Sequence, residues 1–334
     1  MERPFPKSVS NVDRVGQLLE SVSPEDSLAI LIRADPDAIA GSLALRRIFW
    51  RKVKKIQIGR INEIKRPDNI ALIHSLNIAL TPFKRIKASD VTKWVLLDSQ
   101  PHHADQFAGL DFSIIVDHHP VEADLKADYI DIRPDYGAVS TIFTEYLRAT
   151  RIKPSPRLAT ALFYGIKTDT GNFVRPVTQN DLNAFRYLYK FTNINLVRKI
   201  ESSEMTRKTL DVFRQGMDNL TFLKDVAFVH MEKAGNPDSL VIAADFFLNL
   251  AEATWSIVSA RCGNDLIVIL RNAGFRRDAG KLAQKLFGKW GRAGGHRTAA
   301  RAEIPVAAIK DQVRSERGCR NFVFDQIKKE WQGR

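Results

Sequence analysis

Short runs of apolar residues alternate with longer amphipathic stretches through the first half of the chain. Ser27–Ile32 (SLAILI) and the segments 55–58, 94–97 (WVLL) and 112–116 (FSIIV) are too short for helices and hold few polar positions. Such runs predict strands buried on both faces. Between and after them, 41–52, 68–76, 137–150 and 156–166 follow the helical period, and Thr178-Gln-Asn-Asp181 forms a capping box that opens a helix to about residue 191. Strands alternating with helices predict a parallel, Rossmann-like α/β domain over residues 1–195.

Residues 196–220 are polar with a helical pattern and are expected to connect two domains. Beyond them, apolar runs at 226–231, 256–262, 266–270 and 300–304 predict strands, and 244–253 and 278–287 predict helices. Residues 221–334 therefore form a smaller, mixed α/β domain. There is no internal repeat.

Composition narrows the setting. The 334 residues contain no uninterrupted apolar stretch near the roughly 20 residues that span a bilayer. Cys262 and Cys319 are the only cysteines, too few for a disulfide framework, and the first residues lack the apolar core of a secretory signal. A cytoplasmic location with no membrane partner is the expectation. The net charge of +13 favours polyanionic ligands. Arg271, Arg276, Arg277, Lys281, Lys285, Lys289, Arg292 and Arg297 are crowded into one stretch with a single acid, Asp278. A second basic run, RRIFWRKVKK at 46–55, is expected on a solvated helix face leading into a strand.

The carboxylates fall where chemistry is expected. The first strand ends in Arg33-Ala34-Asp35-Pro36-Asp37, the third in Asp98-Ser99-Gln100 and the fourth in Asp117-His118-His119. Ligands of parallel α/β sheets bind beyond the carboxyl ends of the strands. Converging acids repel one another unless cations neutralise them, and a mixed aspartate and histidine donor set suits Mn²⁺, with Mg²⁺ as the alternative. A fourth aspartate, Asp169, follows a helix in Lys167-Thr168-Asp169-Thr170-Gly171. Either element alone is commonplace: an Asp-x-Asp is usually a turn or cap, and the pair His102-His103 is expected to lie on the surface or to be satisfied internally.

At these residues the chain resembles the DHH phosphoesterase superfamily. Asp35-Pro36-Asp37-Ala38-Ile39-Ala40-Gly41-Ser42 is similar to its first motif, Asp98 to its second, Asp117-His118-His119 to its third and Thr168-Asp169-Thr170-Gly171 to its fourth. Arg133-Pro134-Asp135-Tyr136-Gly137-Ala138 resembles the stretch before a family helix, and Val268-Ile269-Leu270-Arg271 with Gly294-Gly295-His296 resembles the DHH-associated domain. The resemblance implies that Asp98 and Asp169 bridge two Mn²⁺ ions, that Asp35 binds one ion, and that Asp37 and His118 bind the other. It also implies that Asp117 orients a histidine, that His119 sits near the phosphate, and that Arg271, Gly294, Gly295 and His296 hold the substrate.

One position departs from the family. The histidine four residues before the first aspartate is replaced by Leu31, which cannot ligate a metal. The expected function is metal-dependent hydrolysis of short RNA or DNA oligonucleotides, linear dinucleotides or small bisphosphorylated nucleotides. The alternative is a nucleotide-binding regulator of the same fold that has lost catalysis. The oligomeric state stays open, a homodimer included.

Overall fold

The computed structural model describes residues 9–121, 123–203, 207–233, 237–274, 277–311, 313 and 315–332. The chain divides into two compact units, the first ending at Ser203 and the second starting at Glu204. The stretch expected as a connector, 196–220, contributes a helix to each, and residues 204–206 within it lie outside the described ones.

The first unit is built on a six-stranded parallel sheet: β1 (Ser27–Ile32), β2 (Lys55–Arg60), β3 (Thr81–Pro82), β4 (Lys93–Leu97), β5 (Phe112–Asp117) and β6 (Tyr129–Ile132), in the order β3-β2-β1-β4-β5-β6. Its helices are α1 (Asn11–Glu20), α2 (Pro36–Ile48), α3 (Pro67–Ser75), α4 (Val139–Ala149), α5 (Pro156–Asp169), α6 (Gln179–Tyr189) and α7 (Ile194–Ser202). Strand β1 is apolar throughout its buried length because the sheet is covered on both faces. Leu28, Ile30 and Ile32 meet the helices in the main core, while Leu31 packs on the other face with Leu96, Phe107, Phe112 and Ile115. Strand order reverses between β1 and β4, the switch point at which a parallel sheet opens a crevice beyond its carboxyl ends.

Local chemistry sets the helix boundaries. Helix α2 starts at residue 36 rather than the expected 41, because Asp35 caps it and Pro36 occupies its first turn. The capping box Thr178–Asp181 opens α6, and Asp181 also accepts from Gly137 N and Thr141 Oγ1, which ties α6 to the start of α4. The two-residue β3, the four-residue β6 and helix α1 had no counterpart in the sequence expectations.

The second unit holds α8 (Arg207–Asp218), β7 (Thr221–Leu223), β8 (Val226–Lys233), α9 (Pro237–Phe247), β9 (Trp255–Cys262), β10 (Asp265–Asn272), α10 (Ala279–Phe287), β11 (Arg292–Gly295), β12 (Ala299–Pro305) and α11 (Glu316–Gln332). Its sheet runs β11-β12-β10-β9-β8-β7 and is mixed, with β8 and β9 parallel and the other neighbours antiparallel. Helix α9 lies earlier than the expected 244–253: Pro237 opens it, and its buried stripe is Leu240, Ala243, Ala244 and Phe247. Strand β11 and helix α11 were not foreseen. Among the described residues no helix is long and apolar enough to cross a membrane.

A polar pair lies inside this unit. His230 of β8 is 4% exposed, its Nδ1 is 2.9 Å from Ser259 Oγ on β9, and its Nε2 has no hydrogen-bond partner among the described residues. Burial, with a smaller contribution from Arg320, lowers the imidazole to about 4. A folded-state value below the unfolded one means that the unfolded chain binds the extra proton, so the stability lost lies between about pH 6.5 and pH 4. Full protonation should cost on the order of 3 kcal/mol. Denaturant unfolding of the wild type and of His230→Leu, compared from pH 7.5 to 4.5, should show the difference shifting in favour of the variant as pH falls. A constant difference would contradict the assignment.

Candidate metal centre

Three neighbouring strands deliver the acidic residues to one place. Asp35 and Asp37 follow β1, Asp98 follows β4, and Asp117, His118 and His119 follow or end β5. Asp169 arrives as the last residue of α5. Asp98 adopts φ +56°, a left-handed conformation uncommon outside glycine, with its N–H held by the carbonyl of Val116.

His118 is the hub. Its Nδ1 is 3.0 Å from the carbonyl oxygen of Tyr136, which can only accept, so the ring donates from Nδ1. In the neutral ring Nε2 then carries a lone pair. That atom faces Asp169 Oδ2 at 3.0 Å and Asp98 Oδ1 at 3.3 Å. Asp98 Oδ1 and His118 Nε2 are buried and neither makes a well-directed hydrogen bond. Lone pairs meeting in a buried site require a cation or a proton between them.

The remaining groups have defined places. One ligand atom each from Asp37, His118 and Asp169 lies within 4.8 Å of the others, and the same holds for Asp98, His118 and His119. Asp37 is buried and both its oxygens also face the start of α4, accepting from Val139 N at 2.6 Å and Ser140 N at 2.9 Å. Asp35 is in neither grouping; its Oδ1 accepts from Ala38 N as the cap of α2. Leu31 sits fully buried among apolar side chains and offers no donor.

Burial raises Asp35 to about 6 and Asp37 to about 7, with repulsion from Asp169 adding to both. Asp98 is raised well above the usual carboxylate range by burial and then by Asp35. Burial opposes the charge on Asp169 and on His118, but the close approach of these two opposite charges at 3.0 Å prevails, lowering Asp169 and raising His118. The carboxylates thus impede one another's ionisation, as an anionic cluster awaiting positive charge must.

Asp117 has a different task. Its Oδ1 accepts from His118 N and from His119 Nδ1, both at 2.8 Å, and its Oδ2 accepts from Gln100 Nε2 at 2.8 Å. Burial acts to raise it, yet the bonds from His119 and Gln100 hold it down at about 2. Both oxygens are committed to orienting protein groups, and His119 is left with Nε2 turned away from Asp117. Gln100 and His103 are site residues that the sequence reading passed over. His103 accepts from Gln100 N at 3.1 Å, its ring centroid is 5.5 Å from that of His119, and His103, Asp117 and His119 form a third grouping within 4.8 Å. His102 is exposed and His103 is satisfied by Gln100, as expected of the pair, but His103 also borders the centre, and its place directly after the second acidic motif was the available signal.

In the second unit, Arg271 pairs with Asp245 at 2.6 Å and is 17% exposed. Gly294 and Gly295 lie in edge strand β11. A Cβ on Gly280 would come within 2.2 Å of Gly295 O, and one on Gly295 within 2.4 Å of Ala299 O, so these glycines allow backbone to pack on backbone. The carbonyls of His296 and Arg297 accept the first two amides of α10. Part of the basic run is neutralised, since Lys285 and Arg277 both reach Glu330, at 2.7 and 3.8 Å. Arg276 lies outside the described residues.

Comparison with known proteins returned no matching family model. An uncharacterised protein of Methanocaldococcus jannaschii is 31% identical over 315 residues, covering 93% of this chain and 65% of its own length. An A-adding tRNA nucleotidyltransferase of Geobacter sulfurreducens is 28% identical over 248 residues, covering 69% of this chain and 27% of its own. The chain thus spans under two thirds of either relative. Among solved structures, an exopolyphosphatase-related protein from Bacteroides fragilis superposes with a TM-score of 0.72 at 16% identity, over 96% of this chain and 99% of that one. A parallel-sheet unit that gathers the four motifs is followed by a mixed unit, and this fold is shared over nearly the whole chain with the exopolyphosphatase-related protein.

Proposed function

We propose that this chain is a divalent-metal-dependent phosphoesterase, acting on short oligonucleotides, linear dinucleotides or small bisphosphorylated nucleotides. The observation that carries the reading is the position of His118 Nε2 between Asp169 Oδ2 and Asp98 Oδ1, with the ring's direction set by the Tyr136 carbonyl. The donors fit a metal: aspartate oxygens and one imidazole nitrogen suit Mn²⁺, with Mg²⁺ as the alternative. Asp37, Asp98, His118 and Asp169 would hold it, and Asp35 serves a neighbouring position that lacks a nitrogen because Leu31 replaces it.

When bound, the metal supplies activated water and neutralises charge on the attacked phosphate. The chain's own part is orientation. Asp117 accepts the Nδ1–H of His119 and turns Nε2 outward, and in the doubly protonated ring that Nε2–H can donate to a phosphoryl oxygen. Arg271 is the phosphate-holding group of the second unit, and a phosphate there must displace Asp245. Gly294, Gly295 and His296 serve that substrate through the exposed side of β11. The net charge of +13 favours such anions. The substrate class also draws on the motif resemblance.

Pure protein with Mn²⁺, offered a panel of linear dinucleotides, RNA pentamers and bisphosphorylated adenosine, should release mononucleotides or phosphate, and chelator should stop it. Tight nucleotide binding with no metal-dependent turnover on any substrate would instead support the regulator that has lost catalysis.

Asp98→Asn should lower kcat by roughly 10²-fold or more while leaving the thermal melt of the chelated protein unchanged or raised. Full activity in that variant would remove Asp98 from the centre. A subtler test comes from Gly165 of α5, where a Cβ would lie 2.5 Å from Ser140 Oγ and 2.9 Å from Asp37 Oδ1. Gly165→Ala should push Asp37 from its seat and weaken Mn²⁺ binding by roughly 10- to 100-fold in calorimetric titration. Unaltered Mn²⁺ affinity would mean that Asp37 is not a ligand.

A further inference from the structure

Helices α2 and α5 run antiparallel, with Asp37 and Asp169 together at one end. The other end, about 20 Å away at the helical rise of 1.5 Å per residue, carries a second feature. There, the last turn of α2 and the first turn of α5 enclose a hollow of about 180 Å³ floored by Leu43 and Leu158. Its walls are Arg46, Arg47, Trp50 and Arg157, and no carboxylate lines it.

Among the described residues none of the three guanidiniums is ion-paired; Arg157 donates from Nη2 to the carbonyl of Asn77 at 2.7 Å. Arg46 is half-buried, and burial together with the nearby Arg157 works against its charge. Three cations converging on one hollow repel one another, a cost that an anion removes. Guanidinium forks match phosphate oxygens in pairs. The positive end of α5 adds to the field, although Ser155 Oγ already accepts the Leu158 N–H. Trp50 is 63% exposed and lies at the rim, where an indole face can stack on any base. A lone exposed tryptophan or arginine is ordinary; three guanidiniums with no acid partner among the described residues, beside an open indole and over an apolar floor, describe one kind of ligand.

We propose that this hollow is a second binding site for a nucleotide, with its phosphate on Arg46, Arg47 and Arg157 and its base on Trp50. The site does not depend on the chemistry at the carboxylates, and one mononucleotide cannot occupy both places. The nucleotide is either free or part of a single strand.

The test uses the full chain in chelator, where turnover cannot intervene, titrated calorimetrically with adenosine monophosphate, a phosphorothioate-linked hexathymidylate and inorganic phosphate. Trp50→Ala should weaken the nucleotide probe by about tenfold and Trp50→Phe should restore it, since each stacked base is worth that order. Arg157→Gln should weaken nucleotide and phosphate alike. Both side chains are exposed, so the thermal melts should match the wild type, and any metal-dependent dinucleotide turnover should be unchanged. An effect on adenosine monophosphate identifies a free nucleotide, and an effect on hexathymidylate alone identifies a strand; both support the site. If neither probe loses affinity in Trp50→Ala and Arg157→Gln, the site does not exist. If phosphate and nucleotide respond identically and Trp50 is indifferent, the base-stacking half is wrong and the proposal falls. Absence of turnover in the wild type would leave these titrations interpretable.

Discussion

A single hydrogen bond, from His118 Nδ1 to the carbonyl of Tyr136, decides what the acidic centre is able to do. With the ring the other way round, Nε2–H would donate to Asp98 and Asp169 and the cluster would be a closed polar core. With Nδ1 committed, the neutral ring keeps its lone pair at Nε2, which a metal could take in place of a proton. The carbonyl itself is held from behind. Tyr136 N donates to Arg133 O, and Arg133 N donates to Asp117 O. The Arg133 guanidinium binds Asp131, Glu145, the Tyr136 hydroxyl and Asn11. The same short segment therefore braces both histidines.

Much of this was legible in the sequence because it is written in local chemistry. Ser27–Ile32 is a strand for want of polar positions, and Thr178 and Asp181 announce the start of α6 through their own side chains. The acidic motifs were found because each closes an apolar run. What escaped notice depends on distant partners. The short strand Tyr129–Ile132 exists because β5 offers it a ladder, whereas helix α1 did carry a local signal, the cap Ser10 with Asp13 in the first turn, that went unread. Gln100 matters only because folding carries it to Asp117, seventeen residues on. A carbonyl oxygen such as that of Tyr136 has no side-chain signature at all.

The glycines of the second unit illustrate how one residue type answers different demands. Gly294-Gly295-His296 drew attention as a segment expected to hold the substrate. In the fold, the second glycine is where β11 presses on α10, and the carbonyls beyond it finish that helix's first turn. The basic side chains around it divide likewise. Arg277 lies over the Trp331 ring with its centre 4.6 Å from the centroid, and with Lys285 it shares Glu330, so that part of the local positive charge is spent on holding α11 in place.

The bracing of Arg133 also limits how the first unit can be divided. Asn11 and Arg14 of α1 reach across to Arg133 and Asp131, while Glu145 lies within bonding distance of Arg133, Tyr136, Asn11 and Asn180. A fragment beginning after Glu20 would retain every carboxylate of the centre. It would nonetheless strip a cation from buried Asp131 and an amide from Glu145, in a place where water cannot readily replace them. The first helix is in that sense the keystone of a centre it never touches.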